Sequence, residues 1–292
     1  MHTIKNEFLT VRVESAGAQL RSMVSKDGTE YIWQGDPKYW TSSAPNLFPY
    51  VGRLTQGYYL SEGKRYTFAN HGIARYRDFQ LVSNNGTKMV LELLADEATL
   101  EQYPRLFAFR VIYQLVENTL QICYEVENRD EKTMRFGLGA HPGFNVPLVP
   151  GKTFEDYRLR FPEVTQCQQI LLSDDCFVSD QVRPYPLEDG CILPLRHDLF
   201  DKDAIVLTQT PSSITLETPG DDHSVTVSYP QMPYLGVWHI PCTDAPYVCI
   251  EPWCSLPSAS GTITVLEEKP DLLTLAPQEI YRNHWSICIH NP

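Results

Sequence analysis

The segment Tyr247-Val248-Cys249-Ile250-Glu251-Pro252-Trp253 sets one carboxylate among apolar and aromatic neighbours. Such a charge needs a partner or a task, because taking an ionised carboxylate out of water is costly. Read as a strand over 246–252, the segment puts Tyr247, Cys249 and Glu251 on one face and Val248 and Ile250 on the other. Burial on that face raises the carboxyl pKa and makes it a usable base. A strand-end glutamate bonded to an arginine fits the same pattern. His141 sits in Gly139-Ala140-His141-Pro142-Gly143-Phe144. Proline pushes its predecessor toward extended backbone, and an imidazole pKa of about 6.5 suits proton donation near neutrality. The alternative is a core histidine bonded to a carbonyl.

Other segments supply hydrogen-bonding groups. His71 and Arg75 flank Gly72-Ile73-Ala74, small residues that let other groups approach the backbone. Both side chains donate well to hydroxyls or anions, though a loop with an ordinary ion pair reads the same way. Arg53 is a lone charge in the apolar run 46–54, which predicts a buried partner. Asp203 opens the strand-like run 203–207 and could accept from hydroxyls or close a turn. His239 follows Trp238 in a strand-like run and could line a pocket or pack. There is no histidine pair at helical metal spacing, no glycine-rich phosphate loop and no serine elbow.

The elements that must hold these residues are strands. Leu9, Val11 and Val13 alternate with polar neighbours. Phe107 to Leu115 and Leu120 to Val126 alternate across a Glu117-Asn118 turn, the pattern of a long hairpin. A second hairpin joins Ile214 and Leu216 to Val225, Val227 and Tyr229 through Pro219-Gly220-Asp221-Asp222. Trp285, Ile287 and Ile289 close the chain as a further strand. Helical period is scarce: Asp96 to Tyr103 predicts one short helix, stopped by Pro104. The 22 prolines and 16 glycines are scattered, so no linker divides the chain. The expectation is an all-β protein, one large antiparallel β-sandwich domain over 1–292 with long loops.

Formal net charge is −12, which argues against nucleic acid or an anionic membrane as partner. No run reaches the roughly 20 apolar residues of a membrane span, and the first residues lack a signal-peptide core. A cytoplasmic protein is expected. None of the eight cysteines has zinc or redox spacing, so they read as reduced structural thiols.

Taken in order, Asn46–Leu54, Asn70–Arg75, Tyr103-Pro104, Gly139–Phe144, Leu199–Ile205, Tyr234–Trp238 and Cys249–Trp253 resemble the aldose 1-epimerase family, the galactose mutarotase-like proteins. The LacX-like bacterial branch is the nearest match, and the resemblance spans nearly the whole chain. It implies a large β-supersandwich and cofactor-independent interconversion of α and β sugar anomers, with no metal. By position it makes Glu251 the general base, His141 the general acid, and His71 and Arg53 substrate-binding residues. Asp203 matches a hydroxyl-binding carboxylate, and Arg75 either a substrate contact or a structural residue. The family more often has Phe at Ile73 and an aromatic at Gly143, departures that bear on pocket shape.

The implied partner is a small-molecule sugar, bound by a monomer or homodimer. The chemistry requires Glu251 ionised and His141 protonated, a state that a nearby carboxylate favours. By analogy with glycosidase pairs, the two groups are expected about 5–9 Å apart across a cleft. A hexose-phosphate substrate would need two or three basic side chains at the rim, with Arg75 and Arg77 as candidates. A non-catalytic sugar-binding or sensing protein on the same fold is the remaining alternative.

Overall fold

The computed structural model describes residues 1–291. Two antiparallel sheets dominate it. A nine-stranded sheet runs from Ile192–Pro194 at one edge to Gln80–Asn84 at the other, with Phe107–Val116, Thr119–Asn128 and Ile280–His290 near its middle. An eight-stranded sheet runs from Val178–Pro184 to Asn46–Leu47. Near its middle lies Tyr247–Trp253, paired with Tyr234–Trp238 on one side and with Gly139–Ala140 and Gly143–Asn145 on the other. The antiparallel β architecture expected from the period-two pattern is present, with three smaller sheets beside the two large ones.

The long hairpin forms as the alternation predicts. Ile122 faces Tyr113 and Tyr124 faces Val111, and Glu117 takes φ +50° at the turn. The second hairpin pairs Ser213–Glu217 with Ser224–Ser228, and the final strand joins both hairpins into one sheet. The helix is shorter than expected. It spans Glu97–Leu100, capped by Asp96, whose side chain accepts from Thr99 N at 2.7 Å while Thr99 Oγ1 accepts from Asp96 N. Residues 101–103 continue as turns before Pro104, and Tyr103 buries its ring against Phe48 and Phe107.

Phe48 stacks on Phe109 with ring centroids 4.8 Å apart, joining the segment after Asn46–Leu47 to the nine-stranded sheet. Val248 and Ile250 face this same core, whereas Tyr247 and Cys249 pack in a separate cluster with Trp33. The face separation read from alternation therefore holds, but both faces are covered, and all seven residues of the strand are buried. All eight cysteines are free. No helix of the described residues is long and apolar enough to cross a membrane.

Asn46 ties this arrangement to the N-terminal segment. It is fully buried, donates to the carbonyls of Gly17 and Ala18 at 2.9 and 3.0 Å, and accepts from Tyr124 Oη at 2.7 Å. Replacing it with an apolar residue removes the donor to the Gly17 carbonyl and the acceptor for Tyr124 Oη in the interior, while the Ala18 carbonyl keeps the Tyr113 hydroxyl at 2.8 Å. Asn46→Leu is expected to lose about 2–4 kcal/mol of stability in denaturant titration, and a loss below about 0.5 kcal/mol contradicts this account.

Candidate active site

The pairing register explains how Glu251 and His141 meet. Gly139 pairs with Trp253 and Gly143 with Cys249, so two residues inward on each strand His141 comes opposite Glu251. Between these pairs, Ile250 N donates to Pro142 O at 3.1 Å and keeps the strands together through the proline. His141 Nε2 lies 3.2 Å from Glu251 Oε2, with both side chains buried. The expected separation across a cleft is corrected: the two groups touch. The glycosidase analogy misleads because its second carboxylate works from the opposite ring face.

Glycines make the space around the pair. Gly236 is the register partner of Glu251, and a Cβ there would lie 2.8 Å from the Trp253 ring. A Cβ on Gly139 would meet the same indole at 2.8 Å. The two bare backbones let Trp253 lie between the neighbouring strands and line the cleft beside Glu251. On the other flank Trp40 stacks on the His141 ring at 4.9 Å and 28°, and Trp238 meets it edge-on at 5.6 Å. Gly143 has a comparable role. A Cβ there would sit 3.1 Å from Trp40 and 3.3 Å from Trp33 Cβ, so the glycine makes room for Trp40.

Glu251, His141, His71, Arg53, Asp203 and Arg75 all line one small cleft of about 130 Å³. His71 has φ +67°, and its loop is pinned because Ile73 N and Ala74 N both donate to Phe48 O. Its ring meets His141 edge-on at 5.4 Å, and its Nδ1 accepts from Gly52 N at 3.1 Å. Asp203 precedes the strand Ile205–Thr208 instead of starting it. It has φ +85°, and its Oδ1 accepts from Ala204 N, so the turn that was the alternative and the cleft position coexist.

Arg53 departs from expectation. It is exposed at the rim, and among the described residues it has no salt bridge. Its apolar neighbours are buried for their own reasons, while the guanidinium reaches solvent. Arg77 does not line the cleft. His239 is buried outside it, with Nδ1 2.8 Å from Ile240 O and Nε2 3.1 Å from His197 Nδ1. Sequence reasoning missed Trp40, Cys176 and Pro257, all on the cleft wall. The adjacent aromatics Tyr39-Trp40 were the one available signal, and nothing local says that such a pair reaches His141.

The electrostatics reverse the expected resting state. Burial pushes the Glu251 carboxyl well above its ordinary value, reinforced by Asp203 and opposed by Arg75. Burial also pushes His141 down, to about 3, and Arg75 adds to that. His71 lies well below the usual imidazole value, chiefly through burial and then through His141, Arg75 and Arg53. The nearby carboxylate was expected to raise His141. Desolvation and a guanidinium outweigh it, so burial favours a neutral carboxyl beside a neutral imidazole over the ion pair. Cys249 completes a set whose donor atoms lie within 4.8 Å of those of His141 and Glu251, ligand types suited to a soft divalent cation. Burial raises its thiol well above the usual range, which opposes metal binding.

The β-sandwich is that of the galactose mutarotase-like proteins. A galactose mutarotase related enzyme from Lactobacillus acidophilus superposes with a TM-score of 0.94 at 32% identity, covering 99% of this chain and 97% of that one. A galactose mutarotase-like protein from Lactobacillus casei ATCC 334 gives 0.93 at 32% identity, covering 99% and 100%. The plasmid form of protein LacX from Lactococcus lactis subsp. lactis is 34% identical over 296 residues, 99% of each chain. The aldose 1-epimerase family profile matches residues 1–288, and the chain belongs to that family.

Two outcomes test the electrostatics. The His141 ring, followed by nitrogen NMR, should remain unprotonated from neutrality down to about pH 5, and a midpoint near 6.5 contradicts the burial argument. Glu251→Gln should be more stable than the parent at pH 7, by about 1–2 kcal/mol in denaturant titration. A carboxyl whose folded pKa is raised above its unfolded value contributes fully only below that unfolded value, near 4.5, and loses stability as pH rises. The gain should therefore shrink on acidification toward pH 4.5, and a gain constant with pH refutes it.

Proposed function

We propose that the protein is an aldose 1-epimerase that interconverts the α and β anomers of a free hexose, with Glu251 as base and His141 as acid. The observation that carries this reading is the buried contact between Glu251 Oε2 and His141 Nε2 at 3.2 Å. It pairs a proton acceptor with a donor close enough to act on two oxygens of one carbon. His71, Arg53 and Asp203 on the cleft walls are suited to hold ring and hydroxyl oxygens.

The reaction follows from moving one proton between the two groups. Transfer from Glu251 to His141 across their contact gives a carboxylate and an imidazolium without exchange with solvent. The carboxylate takes the proton of the anomeric hydroxyl, and that O–H pair forms the new C1=O1 bond. The C1–O5 bond breaks, its electrons go to O5, and O5 takes the proton from His141 Nε2. The result is an open-chain aldehyde, a protonated Glu251 and a neutral His141. Rotation about C1–C2 and the reverse steps close the ring on the other face. The neutral pair favoured by burial is thus the one that accompanies the open chain. Arg75 contributes by opposing protonation of Glu251, so that its carboxylate is accessible during turnover.

A phosphorylated hexose is less well served. Arg75 is half-buried and feels the Glu251 carboxylate, which leaves Arg53 as the arginine exposed at the rim. Phosphate recognition usually recruits several basic groups. Anomer-exchange NMR over free and phosphorylated hexoses tests both readings. We expect exchange with a free hexose, reduced about 10²–10⁴-fold in Glu251→Gln while sugar binding persists. Undiminished exchange in that variant overturns Glu251 as base. Faster exchange of hexose phosphates overturns the neutral substrate. Binding without exchange by the parent protein makes it a sugar-binding module instead.

A further inference from the structure

We propose that the buried pair Lys269–Asp271 positions the sugar cleft by fixing the loop 254–258, which holds Arg53 and His71 in place. The proposal rests on the reading of the cleft given above. Neither residue lines that cleft. Both line a second, mainly apolar cavity of about 430 Å³ on the far side of Pro257, which is the residue common to the two walls.

Asp271 Oδ2 accepts from Leu256 N at 2.6 Å and from Lys269 Nζ at 2.6 Å, and its other oxygen contacts the same ammonium at 2.5 Å. The two side chains are 11% and 10% exposed. Burying such a pair costs desolvation that its attraction roughly offsets, so an apolar pair of similar volume would stabilise the fold as well. What an apolar residue does not supply is the acceptor for Leu256 N. That bond fixes the backbone directly before Pro257.

Gly52 backs onto Pro257 so closely that a Cβ would lie 2.4 Å from the ring Cγ. Gly52 and His71 hold each other by two bonds: Gly52 N donates to His71 Nδ1 at 3.1 Å, and His71 N donates to Gly52 O at 2.9 Å. One residue further, Ser258 N donates to Arg53 O at 3.1 Å. The hydroxyls of Ser258, Thr264 and Tyr50 bond one another on the far side, 2.7–3.2 Å apart, and the Lys269 ammonium lies 5.6 Å from the Tyr50 ring centroid. A carboxylate 20 residues past Glu251 thus reaches both substrate-side residues through one amide and one proline ring.

Two double variants separate acceptor from charge. Lys269→Met with Asp271→Leu removes both charges and the acceptor. Lys269→Met with Asp271→Asn removes the charges and keeps a side-chain oxygen for Leu256 N. The first should raise KM about tenfold, with kcat within about threefold and an unchanged pH profile, and the second should keep the parent KM within about twofold. Hydrogen exchange without sugar gives a readout independent of activity, with the Gly52 and Ser258 amides exchanging faster in the Leu variant only. Parent-like KM and exchange in a folded Leu variant overturn the proposal. If that variant does not fold, the Asn variant decides. Parent-like KM and exchange then support the acceptor role, and a KM about tenfold higher overturns it. If the parent itself exchanges no anomers, the reading of the cleft fails, while the exchange rates still judge the clamp.

Discussion

A carboxyl and an imidazole meet 3.2 Å apart where the strand register places them face to face. Around this contact the interior is dry, and dryness disfavours charge on either group. Burial alone would leave two neutral groups in contact. The Arg75 guanidinium changes that balance, because it opposes imidazolium on His141 and opposes protonation of Glu251 at once. On transfer of a proton from the carboxyl to the imidazole the two effects offset each other, so the guanidinium favours a carboxylate beside a neutral imidazole.

A contact so constrained needs a rigid frame. The frame is backbone pairing on three adjoining strands, with glycine wherever an indole must lie against the chain. Gly139 and Gly236 admit Trp253, and Gly143 admits Trp40. Each tryptophan excludes water from one flank of the pair and fixes the direction of the other groups. Asp271 bonds the loop 254–258 behind the cleft wall, where Arg53, His71 and Asp203 come from loops and turns. The chain thus places Glu251 and His141 within paired backbone and its other polar cleft side chains on turns.

Much of this was legible before any coordinates. Alternation located both hairpins and the final strand, because a half-buried strand writes its two faces into the sequence with period two. The same rule separated Val248 and Ile250 from Tyr247, Cys249 and Glu251. Glu251, His141, His71, Arg53 and Arg75 stood out as charged or basic side chains in small or apolar company, each with a structural reading left open, and the family resemblance joined them and Asp203 into one set. What could not be read was register. Nothing in Gly139–Phe144 says that it pairs two residues either side of Glu251, so contact was taken for a gap. Protonation failed for a related reason: the Arg75 side chain is near the pair only through the fold. Trp40 was invisible because an aromatic in a loop carries no periodic signal.

The two departures from the family pattern now separate. Ile73 is 1% exposed and packs in the main core, below the loop that carries His71, and it does not line the cleft. A Phe there would alter packing beneath that loop. Gly143 also stays out of the cleft, yet its missing side chain is what seats Trp40 against His141. An aromatic at 143 and Trp40 in its present place cannot both be accommodated. The side chain that covers the acid comes here from an N-terminal loop and not from the strand that follows His141. Loops vary more readily than paired strands, since few backbone bonds depend on them. Trp40, Arg53 and Asp203 can therefore vary while the register that joins Glu251 to His141 stays fixed.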